Sequence, residues 1–181
     1  MRFLSLLLFF SACATTTSQL NLPPLQTVPK VELSRYLGTW YELASFPQSF
    51  SRGCTGSTAN YSLLPDGDIQ VINSCRLESL EGKEKVATGR ARVVDKETNA
   101  RLEVSFFRPF WGAYWIIQLD PEYRYAVVGH PSRDYLWILS RTPTVDDALY
   151  ETIVEKLKAE GYPLDRLVRT LQPTTVSASS P

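Results

Sequence analysis

Between residues 39 and 140 apolar and polar side chains alternate in short runs that are broken by turn residues. Ala100, Leu102, Val104 and Phe106 are interleaved with Arg101, Glu103 and Ser105. This period of two gives a strand one buried face and one wet face. Runs of the same kind predict strands near Thr39–Phe46, Thr55–Leu63, Ile69–Asn73, Lys85–Val94, Ala100–Phe107, Ala113–Leu119, Arg124–Gly129 and Tyr135–Ser140. Pro65-Asp66-Gly67-Asp68 has the make-up of a tight hairpin turn, and the polar run Asp95 to Asn99 turns a later pair. Many short strands at this spacing predict a sandwich or a barrel.

One segment has a different period. Leu149, Ile153 and Leu157 recur at helical spacing with Lys and Glu between them. Thr144 with Asp147 three residues on is a capping-box signal, and Gly161 is placed to end the helix. A helix with a single apolar stripe belongs against the outside of the sheet rather than within it. Leu167–Leu171 reads as a last short strand. The plan is all-β: eight antiparallel strands, one C-terminal α-helix packed outside, and a short ninth strand.

The two ends lie outside this plan. Met1-Arg2 is followed by the apolar run Phe3 to Phe10 and then by Ser11-Ala12-Cys13, so residues 1–12 read as a secretory signal. Residues 14–30, rich in Thr, Pro and Gln, read with Cys13 as a tether, and residues 173–181 as a disordered tail. The folded domain is then expected over 31–172.

Composition narrows the function classes. The 181 residues are 44% hydrophobic, ample for one core. Lys+Arg and Asp+Glu are equal at 19 each, which leaves no basic excess to draw nucleic acid. With one histidine and neither H-E-x-x-H nor C-x-x-C, no metal site is expected, nor any cofactor. His130, Ser132 and Asp134 are neighbours on one turn, whereas a hydrolytic triad needs convergent geometry, and no G-x-S-x-G elbow is present.

Three segments carry a family resemblance. Gly38-Thr39-Trp40-Tyr41-Glu42 contains the G-x-W of the lipocalins. Asp120 to Val128 resembles their second motif and Tyr135 to Pro143 their third, in the same order and at the family spacing. The likeness covers about Val31 to Gln172 and is closest to bacterial outer-membrane lipocalins and apolipoprotein D, with Asn60-Tyr61-Ser62-Leu63 and Val104-Ser105-Phe106-Phe107 adding to it. It implies an eight-stranded antiparallel up-and-down β-barrel. It also implies that Trp40 plugs the closed end with Arg141 lying across it, a guanidinium stacking well on an indole face. Gly38 lets the chain turn into the first strand. Phe10-Ser11-Ala12-Cys13 is similar to a bacterial lipobox, which implies cleavage before Cys13, acylation of Cys13 and passage to the outer membrane, with the domain in the periplasm.

The resemblance further implies a ligand cavity. Tyr61 and Trp137 correspond to pocket residues of apolipoprotein D. By alternation Ala59 and Leu63 share Tyr61's face, Tyr135 and Leu139 share Trp137's, and Leu102, Val104 and Phe106 form another wall. Small residues Ala87, Gly89 and Ala91 leave space. The expected ligand is a fatty acid, a lysophospholipid or another small apolar molecule, held by a monomer or homodimer. Phe106 to Gly112 joins the fifth and sixth strands at the barrel mouth, where its aromatic groups beside Arg108 either meet lipid, gate the cavity or fold back onto the barrel. Glu42 falls on Trp40's face. It is read as an anchor for a polar ligand head, as the partner of an arginine near the floor, or as an outward residue on a bulged strand. Cys54 and Cys75 are read as a disulfide in an oxidising compartment, which needs a bend or bulge because the turn at Asp66-Gly67 pairs Cys75 nearer Thr58. Two alternatives stay open: a lipocalin-fold enzyme using an unpaired Cys54 thiol on an apolar substrate, and an envelope lipoprotein with no ligand.

Overall fold

The computed structural model describes residues 22–174. The signal read over residues 1–12, Cys13, the first part of the tether and most of the tail lie outside them. A four-residue helix α1 (Leu33–Tyr36) leads into β1 (Gly38–Ser45), β2 (Cys54–Leu63), β3 (Ile69–Leu77), β4 (Glu84–Val93), β5 (Arg101–Phe107), β6 (Phe110–Leu119), β7 (Tyr125–Gly129) and β8 (Leu136–Ser140). Helix α2 (Asp147–Ala159) and β9 (Val168–Arg169) follow. Each strand pairs antiparallel with the next, β8 pairs with β1, and β1 pairs back onto β2, which closes an eight-stranded barrel with β9 added against β1.

The strands carry two apolar layers because both of their faces are covered. Inside lie Trp40, Tyr61, Val71, Leu102, Tyr114, Ile116, Val128 and Leu139. Outside, Tyr150, Ile153 and Leu157 of α2 pack on Ala44, Ile117, Tyr125, Val127 and Ile138. All five residues of β7 are therefore buried, alternating inward (Ala126, Val128) and outward (Tyr125, Val127).

Local chemistry sets the turns. Gly67 takes a φ of +90°, and Leu64 N–H donates to Asp68 O at 2.8 Å, closing the β2–β3 hairpin. Asp95 accepts from the backbone N–H groups of Glu97 and Thr98 between β4 and β5. The cap of α2 is Asp146 rather than Thr144: its carboxylate accepts from Leu149 N–H at 2.8 Å. Docking also begins earlier than a tether over residues 14–30 implies. Leu25 is buried and Val28 N–H donates to Ile116 O at 2.9 Å.

Two bulges shape the wall between β1 and β2. A register shift between Glu42 and Ala44 bends β1, so that it pairs with β2 only over Gly38–Tyr41. The gap above is filled by the C-terminal segment. Thr170 N–H donates to Leu43 O at 2.9 Å, Gly56 N–H to Leu171 O at 2.7 Å, and Gln172 Nε2 to both Glu42 O and Ser57 O at 2.8 Å. The second shift, between Thr55 and Thr58, contains Gly56 at a φ of +57°. It changes the partner of Cys75 by one residue and thereby brings Cys54 onto the same face. The two cysteines form a disulfide with a Cα–Cα distance of 5.4 Å.

The closed end is held by Arg141. Its guanidinium lies 3.8 Å above the centre of the fully buried Trp40 indole. Nη1 donates to Thr39 O at 2.8 Å, and Nη2 to Arg35 O and Leu37 O at 2.6 and 2.9 Å. Gly38 beside it has a φ of +90°, so it is the backbone conformation that calls for glycine here. Arg141→Ala should lower the unfolding free energy by about 2–4 kcal/mol, since three carbonyls lose a charged donor and the indole its cover. Arg141→Lys should recover only part of this, because one ammonium cannot both span the ring and reach all three carbonyls. Urea denaturation checks both; a loss near zero for the alanine variant contradicts the role.

Candidate ligand-binding site

The bore is built from the closed end upward. Trp40 Nε1–H donates to Tyr36 O at 2.8 Å, and the Tyr36 ring lies 5.1 Å from the indole. Above it three phenols form a row: the Tyr36 and Tyr114 hydroxyls are 2.8 Å apart, and those of Tyr114 and Tyr61 are 2.9 Å apart. Burial is the main cause that pushes all three phenols up, Tyr61 to about 12 and the other two well above their ordinary value, so the row stays neutral. Two hydroxyl–hydroxyl bonds use two of three hydroxyl hydrogens, which leaves the row one donor.

The walls above this floor become progressively wetter toward the mouth. Ala59 faces in opposite Trp40, and Leu139 opposite Glu42 and Ala126. Leu102 is buried opposite Tyr114, Val104 stands half-buried opposite Ala91, and Phe106 lies over Gly89, 44% exposed. Trp137 faces Val128 and is half-buried. Inward side chains that remain partly exposed are reached by solvent from the mouth. The lower bore is thus filled by its own aromatic groups, and the upper wall keeps Val104, Phe106 and Trp137 partly exposed.

Two residues expected on these walls sit elsewhere. Leu63 shares Tyr61's face, but β1 begins opposite Tyr61, so nothing covers Leu63 and it is 59% exposed at the closed end. Tyr135 precedes β8 on the rim, its ring stacked 6.2 Å from Trp137 and 5.4 Å from His130. Alternation also passed over Tyr36 and Tyr114. β6 carries aromatic residues on both faces, so period alone does not select Tyr114, and Tyr36 precedes the first strand.

Glu42 lies where β1 parts from β2. Its Oε1 accepts from Ser45 Oγ at 2.9 Å and Thr170 Oγ1 at 2.5 Å. No arginine lies within ion-pair range of it among the described residues. Burial raises its pKa, and the two hydroxyls offset this only in part. In the β7–β8 turn His130 Nδ1 meets Ser132 Oγ at 2.9 Å, whereas the Asp134 carboxylate faces Arg166 at 3.4 Å, so these three do not converge. A recess of about 470 Å³ on the outer wall, beneath the β5–β6 hairpin, is polar: Arg90 is bound by Asp66 and Asp68, and Arg92 by Glu103.

Comparison with known proteins agrees with this geometry. Residues 31–172 match the family model described as a lipocalin-like domain. The chain is 43% identical over 164 residues to the outer membrane lipoprotein Blc of Citrobacter freundii, covering 90% of this chain and 89% of that protein. It is 33% identical over 159 residues to apolipoprotein D of Mus musculus, covering 83% and 80%. Among solved structures the cockroach allergen Per a 4 superposes with a TM-score of 0.63 at 25% identity, covering 84% of this chain and 94% of that one.

The raised pKa of Glu42 has a defined sign. The stability linked to this carboxyl is complete below its ordinary value of 4.5 and is lost as pH rises through the higher folded value. Glu42→Gln keeps an acceptor for Ser45 and Thr170 and removes the charge. Its melting temperature should match the parent below about pH 4 and exceed it at neutral pH. A gap that is constant across pH contradicts this assignment.

Proposed function

Because the chain belongs to the lipocalin-like family, we propose that it is an outer-membrane lipoprotein that binds, stores or transports an apolar or amphiphilic ligand in its barrel. The observation that supports this reading is the contrast between a base plugged by Trp40 and Arg141 and an upper wall on which Trp137, Val104 and Phe106 stay partly exposed. A fatty acid or a lysophospholipid fits such a space: its chain leaves water along the apolar wall, and its head remains at the wet rim. Head-down binding is opposed by Glu42, because a buried ligand carboxylate would meet a second carboxyl in a low-dielectric site. The names of the bacterial relatives, outer membrane lipoproteins, support acylation at Cys13 and an outer-membrane location, and the proposal places the domain on the periplasmic side.

The disulfide bears on the enzymatic alternative. With Cys54 bonded to Cys75, Cys54 offers no thiolate nucleophile. A thiol titration of the unfolded, unreduced mature chain should find no free thiol; two free equivalents per chain reopen that alternative, whereas one equivalent points to an unacylated Cys13.

Calorimetric titration of delipidated protein with a long-chain fatty acid and a lysophospholipid tests the pocket. Trp137→Ala and Phe106→Ala should each weaken binding by about tenfold or more, a loss of about 1.4 kcal/mol. Leu63→Ala at the opposite end should leave affinity unchanged. Equal affinities in all three place the ligand elsewhere. Cys13→Ala should move the protein out of the membrane fraction.

A further inference from the structure

Exposed large apolar side chains are unevenly shared between the two ends of the barrel. In an up-and-down barrel the β1–β2, β3–β4, β5–β6 and β7–β8 connections all lie at one end, here the mouth. Hydrogen bonds tie these loops together: Gln48 Nε2 donates to Asp134 O at 3.3 Å and Lys85 Nζ to Phe50 O at 2.6 Å. Phe50, Phe107 and Phe110 stand on this rim, 58%, 76% and 70% exposed. At the plugged end the exposed large apolar groups are the aliphatic Leu63 and Val94.

The rim aromatics are placed on tips rather than in a groove. Phe107 and Phe110 end the β5–β6 hairpin, their rings stacked 6.3 Å apart at an interplanar angle of 8°. Stacking hides one face of each ring and leaves the other in water. Between them Arg108 lines the outer recess that also holds Asp66 and Asp68, and it has no carboxylate within ion-pair range among the described residues, those two aspartates being engaged by Arg90. In the strand order Phe50 stands across the mouth from this hairpin. Protruding aromatic tips with an unpaired cation suit an interface of phosphates over acyl chains better than a protein surface, which would have to supply a matching cleft.

The path of the chain points the same way. Pro23 O accepts from Arg133 Nη2 at 2.7 Å in the β7–β8 turn, so the described chain starts at the mouth end. From Cys13 to Asn21 there are nine residues, which span at most about 30 Å when fully extended. A tether of that length, held at Cys13, keeps the rim rather than the plugged end next to the surface that holds it.

We propose that the mouth of the barrel docks on a phospholipid surface, with Phe107 and Phe110 at the boundary between headgroups and acyl chains and Arg108 among the phosphates. The bore then opens onto the bilayer, and an amphiphile exchanges between the two without crossing bulk water. This orientation rests on the reading of Cys13 as acylated for what holds the chain at the membrane.

Intact lipoprotein reconstituted into phospholipid vesicles provides the test. With Cys13 acylated and Cys54 bonded to Cys75, Phe107→Cys and Leu63→Cys each introduce a single free thiol on an exposed site, one at either end. Each is labelled with an environment-sensitive fluorophore and challenged with brominated lipid. The label at position 107 should shift to the blue and be quenched severalfold more than the label at position 63, and adding Phe110→Ser should reduce that difference. Equal wetness of both labels on vesicle-bound protein overturns the docking and leaves the anchor standing. Protein that does not float with the vesicles overturns the anchor and the docking together.

Discussion

The stack of Arg141 on Trp40 makes the two ends of this barrel different, and the rest of the structure depends on that difference. A meander of eight strands has no intrinsic floor. Here one guanidinium lies across the indole and binds the carbonyls of Arg35, Leu37 and Thr39. Those oxygens end α1 and begin β1, where no ladder partner reaches them. Arg141 itself follows β8, so a single side chain links the first and last strands of the barrel to the helix that covers its base. Neither an isolated surface ion pair nor one methyl group in a core could do this, because neither presents several directed donors from one rigid plane.

With the base plugged, the filled and open parts of the bore separate. Tyr36, Tyr61 and Tyr114 occupy the space above Trp40 and satisfy one another through their hydroxyls, so a polar row is buried at little cost. Above that row the wall changes from a buried Leu102 to a half-buried Val104 to a rim-exposed Phe106. The bulges in β1 and β2 accompany the same change. They let β1 leave β2 at Glu42, and the C-terminal segment enters the opening with Thr170 and Gln172. The bulge around Gly56 sets the face on which Cys54 lies, so the disulfide is one consequence of how the mouth is built.

Period and turn chemistry made the strands readable in the sequence, and three ordered motifs made the barrel readable. Errors collect where a local pattern has to be converted into height or reach. Alternation assigns Leu63 to the correct face, but the stagger between β1 and β2 leaves it below the end of its neighbour. Strand β3 runs past Asn73 to Leu77 through the polar Ser74, which an apolar period excludes but a backbone ladder does not. At α2 two cap-forming residues stand close together. The one that reaches Leu149 N–H is Asp146, so Thr144 lies outside the helix. Glu42 and Thr170 are 128 residues apart, a pairing that no local pattern encodes.

Glu42 shows why a largely apolar bore keeps a carboxyl. An unpartnered carboxylate at that depth would be prohibitive, yet two hydroxyls from different segments, Ser45 and Thr170, converge on one of its oxygens. Replacing the group by an aliphatic one of similar size would leave both hydroxyls without an acceptor at the point where β1 is no longer hydrogen-bonded to β2. The carboxyl therefore acts as the acceptor that holds the fork together. Its raised pKa is the electrostatic consequence of that burial. The seam between β1 and β2 is thus bridged by the backbone bonds of residues 170–171 and by the Gln172 amide, and the Glu42 carboxyl fastens the bridging segment to β1 through Thr170.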